Sequence, residues 1–324
     1  MARARENRIR AVQDNLTKDN YPARVRVVEV SPRDGLQNET VAVDVATKAA
    51  LIEGLAAAGL GVIECGSFVS SKRVPQMANT AEVLAAIERA PGVVYSVLVP
   101  NLQGLRAAID SQAGEIAIFA AASESFSQHN IECSIAESLS RLRKVADGAI
   151  ARRMRVRGYV SCVLGCPYEG AVQLDAVTHV ARELIDMGCY EVSLGDTIGV
   201  GTPRAAQAMI RKVAEHLPIG RLAVHFHDTY GQALANILVA LQLGVAAIDA
   251  AVAGLGGCPY APGATGNVAT EDVVYMLNGM EIETGIDLEK LAAAGQAISQ
   301  ALGRETQSKA ASGIARKASR VPTS

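Results

Sequence analysis

Eight short runs rich in β-branched residues recur along the chain, and most are followed by a longer run with apolar residues three and four apart. The short runs cover residues 24–30, 61–65, 93–99, 115–122, 155–162, 190–196, 222–228 and 247–254. The longer runs include "DVATKAALIEGLAAAG", "SIAESLSRLRKVADGAIAR", "LDAVTHVARELIDMG" and "PRAAQAMIRKVAEHL", with the period of amphipathic helices. Thr202 and Pro203 supply an N-cap and a first-turn proline, and Gly59, Gly188 and Gly244 stand where helices should stop.

Strand and helix alternating eight times predict an α/β fold, a closed (β/α)8 TIM barrel, with a doubly wound open sheet as the alternative topology. The barrel is expected over 21–305, with "EIETGIDLEKLAAAGQAISQALGR" as an extra C-terminal helical segment. Residues 1–20 are expected to be a separate leading segment and 306–324 a polar tail. Polar and glycine-rich stretches follow the strands: "SPRDGLQNE" after the first, "ECGS" after the second, "GDTIGVGTP" after the sixth, "HFHDTYG" after the seventh and "AGLGGCPYAPGATGN" after the eighth. Loops at the opposite end are short and plain. Chemistry in such barrels gathers at the carboxyl ends of the strands, so this asymmetry marks the active rim.

Composition narrows the function. Of 324 residues, 49% are apolar and 20% charged, with a net charge of −2 and no tryptophan, which suits a globular protein and offers no basic field for nucleic acid. No apolar run approaches the length needed to cross a bilayer. The six cysteines are too sparse for a stapled secreted domain and read as reduced thiols. Cys162 and Cys166 lack the further ligands of a zinc site. The N-terminal "MARARENRIRAVQDN" has no signal-peptide core, and a cytoplasmic protein is expected.

In "LAVHFHD" the strand period points His225 and His227 to the same face. Asp34, after the first strand, can meet them across the barrel mouth. Two imidazoles and a carboxylate make a facial metal set with positions left open for substrate. Asn267 is a candidate neutral oxygen ligand. The mixed donors suit Mg²⁺ or Mn²⁺ and also permit Co²⁺ or Zn²⁺. Glu64 and Asp196, ending the second and sixth strands, are each candidates for a base, for a group orienting a histidine, or for a satisfied rim carboxylate. Cys258 sits among five glycines in a loop suited to closing over a site, where a neutral thiol can donate a proton. No P-loop or dinucleotide fingerprint is present, which removes the main support for nucleotide chemistry.

The segments "SPRDGLQNE", "SFVSSKRVPQM", "RGYVSCVLGCPYEG", "HFHDTYGQALAN" and "AGLGGCPYAPGATGNVATEDVVYML" closely resemble the hydroxymethylglutaryl-coenzyme A lyase family over residues 24–305. The resemblance implies a cation held by Asp34, His225, His227 and Asn267, with catalytic roles for Arg33, Cys258, Asp34, His225, Glu64 and Asp196, and a further functional position at Glu271. Arg33 is implied to stabilise an enolate and Cys258 to act as general acid. It further implies cleavage of 3-hydroxy-3-methylglutaryl-CoA to acetoacetate and acetyl-CoA, as in leucine degradation and ketone-body formation, by a homodimer. Alternatives within the superfamily are a lyase for citramalyl-CoA or a longer 3-hydroxy-3-alkylglutaryl-CoA, and a condensing synthase. Lys72 and Arg73 are candidates for the CoA phosphates. Phe226, Cys65 and Thr40 depart from the family pattern.

Overall fold

The computed structural model describes residues 21–257 and 266–318. Its eight strands are all parallel and close in chain order: β1 (Arg26–Glu29), β2 (Val62–Ser67), β3 (Val94–Leu98), β4 (Glu115–Ala121), β5 (Arg155–Ser161), β6 (Glu191–Asp196), β7 (Leu222–Phe226) and β8 (Ala247–Ala250). The closure is made by β1 against β8, with Val28 opposite Asp249. The barrel predicted from the alternation is therefore the fold, and the open sheet is not.

Around it run α1 (Val45–Ala57), α2 (Thr80–Ala86), α3 (Leu102–Asp110), α4 (Glu124–Ile131), α5 (Ile135–Ile150), α6 (Leu174–Asp186), α7 (Pro203–Ala214), α8 (Ala233–Gln242), α9 (Thr270–Gly279), α10 (Leu288–Ala301) and α11 (Lys309–Ala318). Local chemistry sets their ends. Asp44 caps α1 by accepting from the Thr47 amide at 2.7 Å, and Ser134 with Glu137 forms a reciprocal capping box on α5, each cap contributing about 1 kcal/mol. Thr202 occupies the N-cap position of α7, but its side chain makes no capping hydrogen bond; the proline at the first position starts the helix there. Gly59 follows α1 with φ +99°, and a Cβ on it would lie 2.3 Å from the Gly285 carbonyl oxygen.

The main apolar core fills the layer between sheet and helices, with Ile52, Leu55, Ile63, Leu184 and Leu194 all but inaccessible. Truncating one of these to alanine is worth about 2–5 kcal/mol. Phe226 belongs to this core at 1% exposure, so the bulky residue between the two histidines packs away from them. Inside the barrel the filling is partly ionic: Arg157, Glu191, Asp249 and Ser193 are buried together. These are residues the periodicity alone did not single out.

Two expectations change. Part of the segment read as a polar tail, 309–318, is helical. Its start is anchored by Asp272, whose carboxylate accepts from the Ser308 hydroxyl at 2.7 Å and the Ala310 amide at 2.7 Å, a contact made across the chain and invisible locally. Helix α4, capped by Ser123 accepting from the Phe126 amide at 3.1 Å, was not foreseen either. No helix among the described residues is long and apolar enough to cross a membrane.

Candidate active site

The site begins with a single π-helical turn, Ser31–Gly35, directly after β1. Its closing bond runs from the Gly35 amide to the Val30 carbonyl at 3.2 Å. Such turns are rare and cluster at functional positions. Gly35 is required by packing, because a Cβ there would lie 2.8 Å from that of Leu255. The turn sets Arg33 and Asp34 at the mouth of the barrel, with side chains 8% and 13% exposed.

Three atoms converge at that mouth. One ligand atom from each of Asp34, His225 and His227 lies within 4.8 Å of the others. Asp34 Oδ2 is 3.8 Å from His225 Nε2 and 3.7 Å from His227 Nε2. These separations are too long for hydrogen bonds and close to those of atoms sharing one cation at ~2.1 Å, which stand about 3–4 Å apart. The donor set therefore fits a divalent cation. Burial opposes the Asp34 charge, but the Arg33 guanidinium and the two imidazoles prevail and hold its carboxyl well below the usual range. It is an anion at any working pH.

Asn267 reaches this cluster through close backbone contact. A Cβ on Gly266 would lie 2.3 Å from the Gly256 carbonyl carbon, so only glycines allow the two strands of the eighth loop to touch. Beside them Asn267 forms an antiparallel bridge with His227. Its Nδ2 donates to Asp34 Oδ2 at 2.8 Å and to the Leu255 carbonyl at 3.2 Å. The amide nitrogen meets Asp34, whose carboxylate is an acceptor, and the oxygen expected from sequence as a ligand is the other atom of the same amide.

Arg33 lies between two carboxylates, its Nε donating to Glu64 and its Nη1 to Asp34. Its guanidinium also stands 5.6 Å from the Tyr159 ring centroid. Burial works against its charge, but Glu64 and Asp34 outweigh this and raise its pKa. Glu64 itself is pushed up by burial despite Arg33, and its Oε1 has no hydrogen-bond partner. Asp196 supports the loop after β6, where its two oxygens accept from the Val200 amide at 3.2 Å and the Gly201 amide at 2.8 Å, and His227 of the cluster also acts on its charge. Glu271, at the start of α9, accepts from the Ala253 amide at 2.9 Å, and burial raises its pKa to about 8.

A cavity of about 690 Å³ opens from the cluster. Leu98, Phe119, Phe126 and Leu142 contribute apolar surface, and Arg73 and Arg141 contribute charge. Of the two phosphate candidates, Arg73 lines this cavity but pairs with Glu132, while Lys72 does not line it. Arg141, Tyr159 and Asp249 were missed; on an isolated strand or helix nothing distinguishes them from structural polar residues. Cys258 lies outside the described residues. The other five cysteines are free and buried.

The HMGL-like family model matches residues 24–298. The chain belongs to the HMGL-like family. Among the relatives, the 3-hydroxy-3-isohexenylglutaryl-CoA/hydroxy-methylglutaryl-CoA lyase of Pseudomonas aeruginosa is 60% identical over 299 residues, spanning 92% of this chain and 100% of the relative. The mitochondrial hydroxymethylglutaryl-CoA lyase of Gallus gallus is 59% identical over 289 residues, 89% of this chain and 97% of the relative. The solved structure of an HMG-CoA lyase from Acinetobacter baumannii in complex with coenzyme A and 3-methylmalate superposes with a TM-score of 0.85 at 34% identity, covering 93% of this chain and 97% of that one.

Proposed function

We propose that this chain is a divalent-cation-dependent carbon–carbon lyase that cleaves 3-hydroxy-3-methylglutaryl-CoA to acetoacetate and acetyl-CoA. The observation that carries the reading is the convergence of Asp34, His225 and His227 at the mouth of a cavity, in a chain 60% identical to a lyase along that relative's full length.

Cleavage requires the tertiary hydroxyl to lose its proton while the electrons of the broken bond move to the thioester. Mg²⁺ or Mn²⁺, held by Asp34, His225 and His227, would supply a Lewis acid that acidifies the hydroxyl. The proton passes to a base whose lone pair does not hold the cation; beside Arg33, the Glu64 carboxylate has an Oε1 without a hydrogen-bond partner and a pKa raised by burial, and it takes that role in this reading. As the carbon–carbon bond breaks, the electron pair becomes an enolate on the acetyl-CoA half and the carbinol carbon becomes the ketone of acetoacetate. Arg33 supplies a fixed positive charge for that enolate, and its two carboxylate partners hold it in place before substrate arrives. Proton delivery to the enolate carbon is assigned to Cys258 on the sequence resemblance.

A second reading concerns the substituent on carbon 3. The apolar wall formed by Leu98, Phe119, Phe126 and Leu142 favours longer 3-alkyl chains as well as methyl, in keeping with the first substrate in the name of the Pseudomonas aeruginosa relative. Thioester cleavage measured over a panel of 3-hydroxy-3-alkylglutaryl-CoA substrates and citramalyl-CoA, with Mg²⁺ and with chelator, tests both readings. Acetoacetate formed only with the cation supports the assignment. Coenzyme A release from acetyl-CoA plus a keto acid, without lyase activity, would replace it with a synthase.

A further inference from the structure

Beneath the cluster lies a charge pair that carries no assigned role. Asp249, within β8, is 1% exposed. Its Oδ1 accepts from Arg157 Nη2 at 2.7 Å, and its Oδ2 accepts from Arg157 Nη1 at 3.1 Å and from the Ser193 hydroxyl at 2.8 Å. Arg157 is fixed in turn, donating from Nε to Glu191 at 2.8 Å and from Nη1 to the Tyr159 hydroxyl at 2.9 Å. Side chains from β5 and β6 thus hold one carboxylate of β8 rigidly.

That carboxylate faces a cluster residue. His225 stands opposite Asp249 in the register of β7 with β8, and its Nδ1 lies 3.4 Å from Asp249 Oδ2. This is long for a hydrogen bond, yet His225 Nδ1 is buried and has no other hydrogen-bond partner. A small rotation of the imidazole closes the gap. On the far side of the same ring, Nε2 faces Asp34.

We propose that Asp249 is a positioning residue for His225, held in turn by Arg157 and Ser193. An ionised carboxylate can only accept, so it selects the imidazole tautomer with hydrogen on Nδ1. The lone pair of Nε2 is then directed to the cluster, where a cation needs it. The reading rests on the lyase assignment only for the identity of the cation.

The test uses the cation-free protein. In ¹⁵N-labelled enzyme above the imidazole titration, long-range proton–nitrogen correlation reports the tautomer of His225, assigned by loss of its signals in His225→Gln. The expected result is a protonated Nδ1 and a bare Nε2; a protonated Nε2 overturns the proposal. In Asp249→Asn a single acceptor oxygen must serve Arg157, Ser193 and His225. The variant is expected to lose about 10–100-fold in Mn²⁺ affinity and to show mixed His225 tautomers. Wild-type Mn²⁺ affinity in folded Asp249→Asn overturns the proposal, and if that variant does not fold the wild-type tautomer decides. Neither measurement uses a thioester, so a wrong substrate assignment leaves both readable.

Discussion

Asn267 Nδ2 donates to Asp34 Oδ2 at 2.8 Å, joining groups 233 residues apart and fixing the carboxylate on which the cluster depends. A hydrogen bond to a charged group is worth about 1.5–3 kcal/mol. Asn267→Ala should therefore weaken Mn²⁺ binding by about 10–100-fold while leaving the barrel folded. Titration calorimetry reads this directly, and unchanged affinity would mean that Asp34 is held well enough by Arg33 and Gln37.

Arg33→Gln should separate binding from catalysis. Asp34, His225 and His227 remain, so Mn²⁺ affinity is expected to stay within a few-fold of wild type. Loss of the fixed charge is expected to lower kcat by about 10²–10³, as for other groups that meet charge formed in the transition state. Steady-state kinetics beside a binding isotherm distinguish the two effects. Full turnover would remove Arg33 from the mechanism.

Asp196 offers a choice between proton carrier and loop support. With both oxygens engaged by the Val200 and Gly201 amides, Asp196→Ala should cost about 1.5–3 kcal/mol for each bond lost, measured by urea denaturation. Asp196→Asn keeps an acceptor and should leave the shape of the kcat–pH profile unchanged. Disappearance of one limb of that profile would instead make Asp196 a titrating participant.

Glu271 makes stability depend on pH. Burial raises its pKa from 4.5 to about 8, so the folded state binds a proton that the unfolded chain releases earlier. Its stabilising contribution is complete below 4.5 and is lost as pH rises towards 8, at about 1.4 kcal/mol per pH unit. Glu271→Gln should flatten that part of the stability–pH curve and be relatively more stable at pH 8. Parallel slopes for the two proteins would show that Glu271 is ionised in the fold.

Much of the architecture was legible because the local signals agree. All eight strands fall within the runs read from sequence or within two residues of them, and Gly59, Gly188 and Gly244 do follow helices with positive φ. Asp34, His225 and His227 were legible because strand period and rim position converge on them. The π-turn was not, since Pro, Asp and Gly suit many turns. Which of the three sequence readings of Asp196 holds was not legible for a similar reason, because a rim carboxylate facing substrate and one bonded to its own loop have the same local sequence. Asp249 and Arg157 were hidden because a polar residue in a buried strand acquires meaning only from its partners across the barrel. Helix α11 depends on Asp272 from α9, a tertiary contact with no local trace.

The central claim is that Asp34, His225 and His227 share one catalytic cation. Equilibrium Mn²⁺ binding by electron paramagnetic resonance, followed in the same samples by cleavage of 3-hydroxy-3-methylglutaryl-CoA, tests it most directly. The expected result is one tightly bound ion per chain, activity rising in step with occupancy, and loss of both in His227→Ala. Full cleavage by rigorously cation-stripped enzyme, or tight stoichiometric binding retained in His227→Ala, would contradict it.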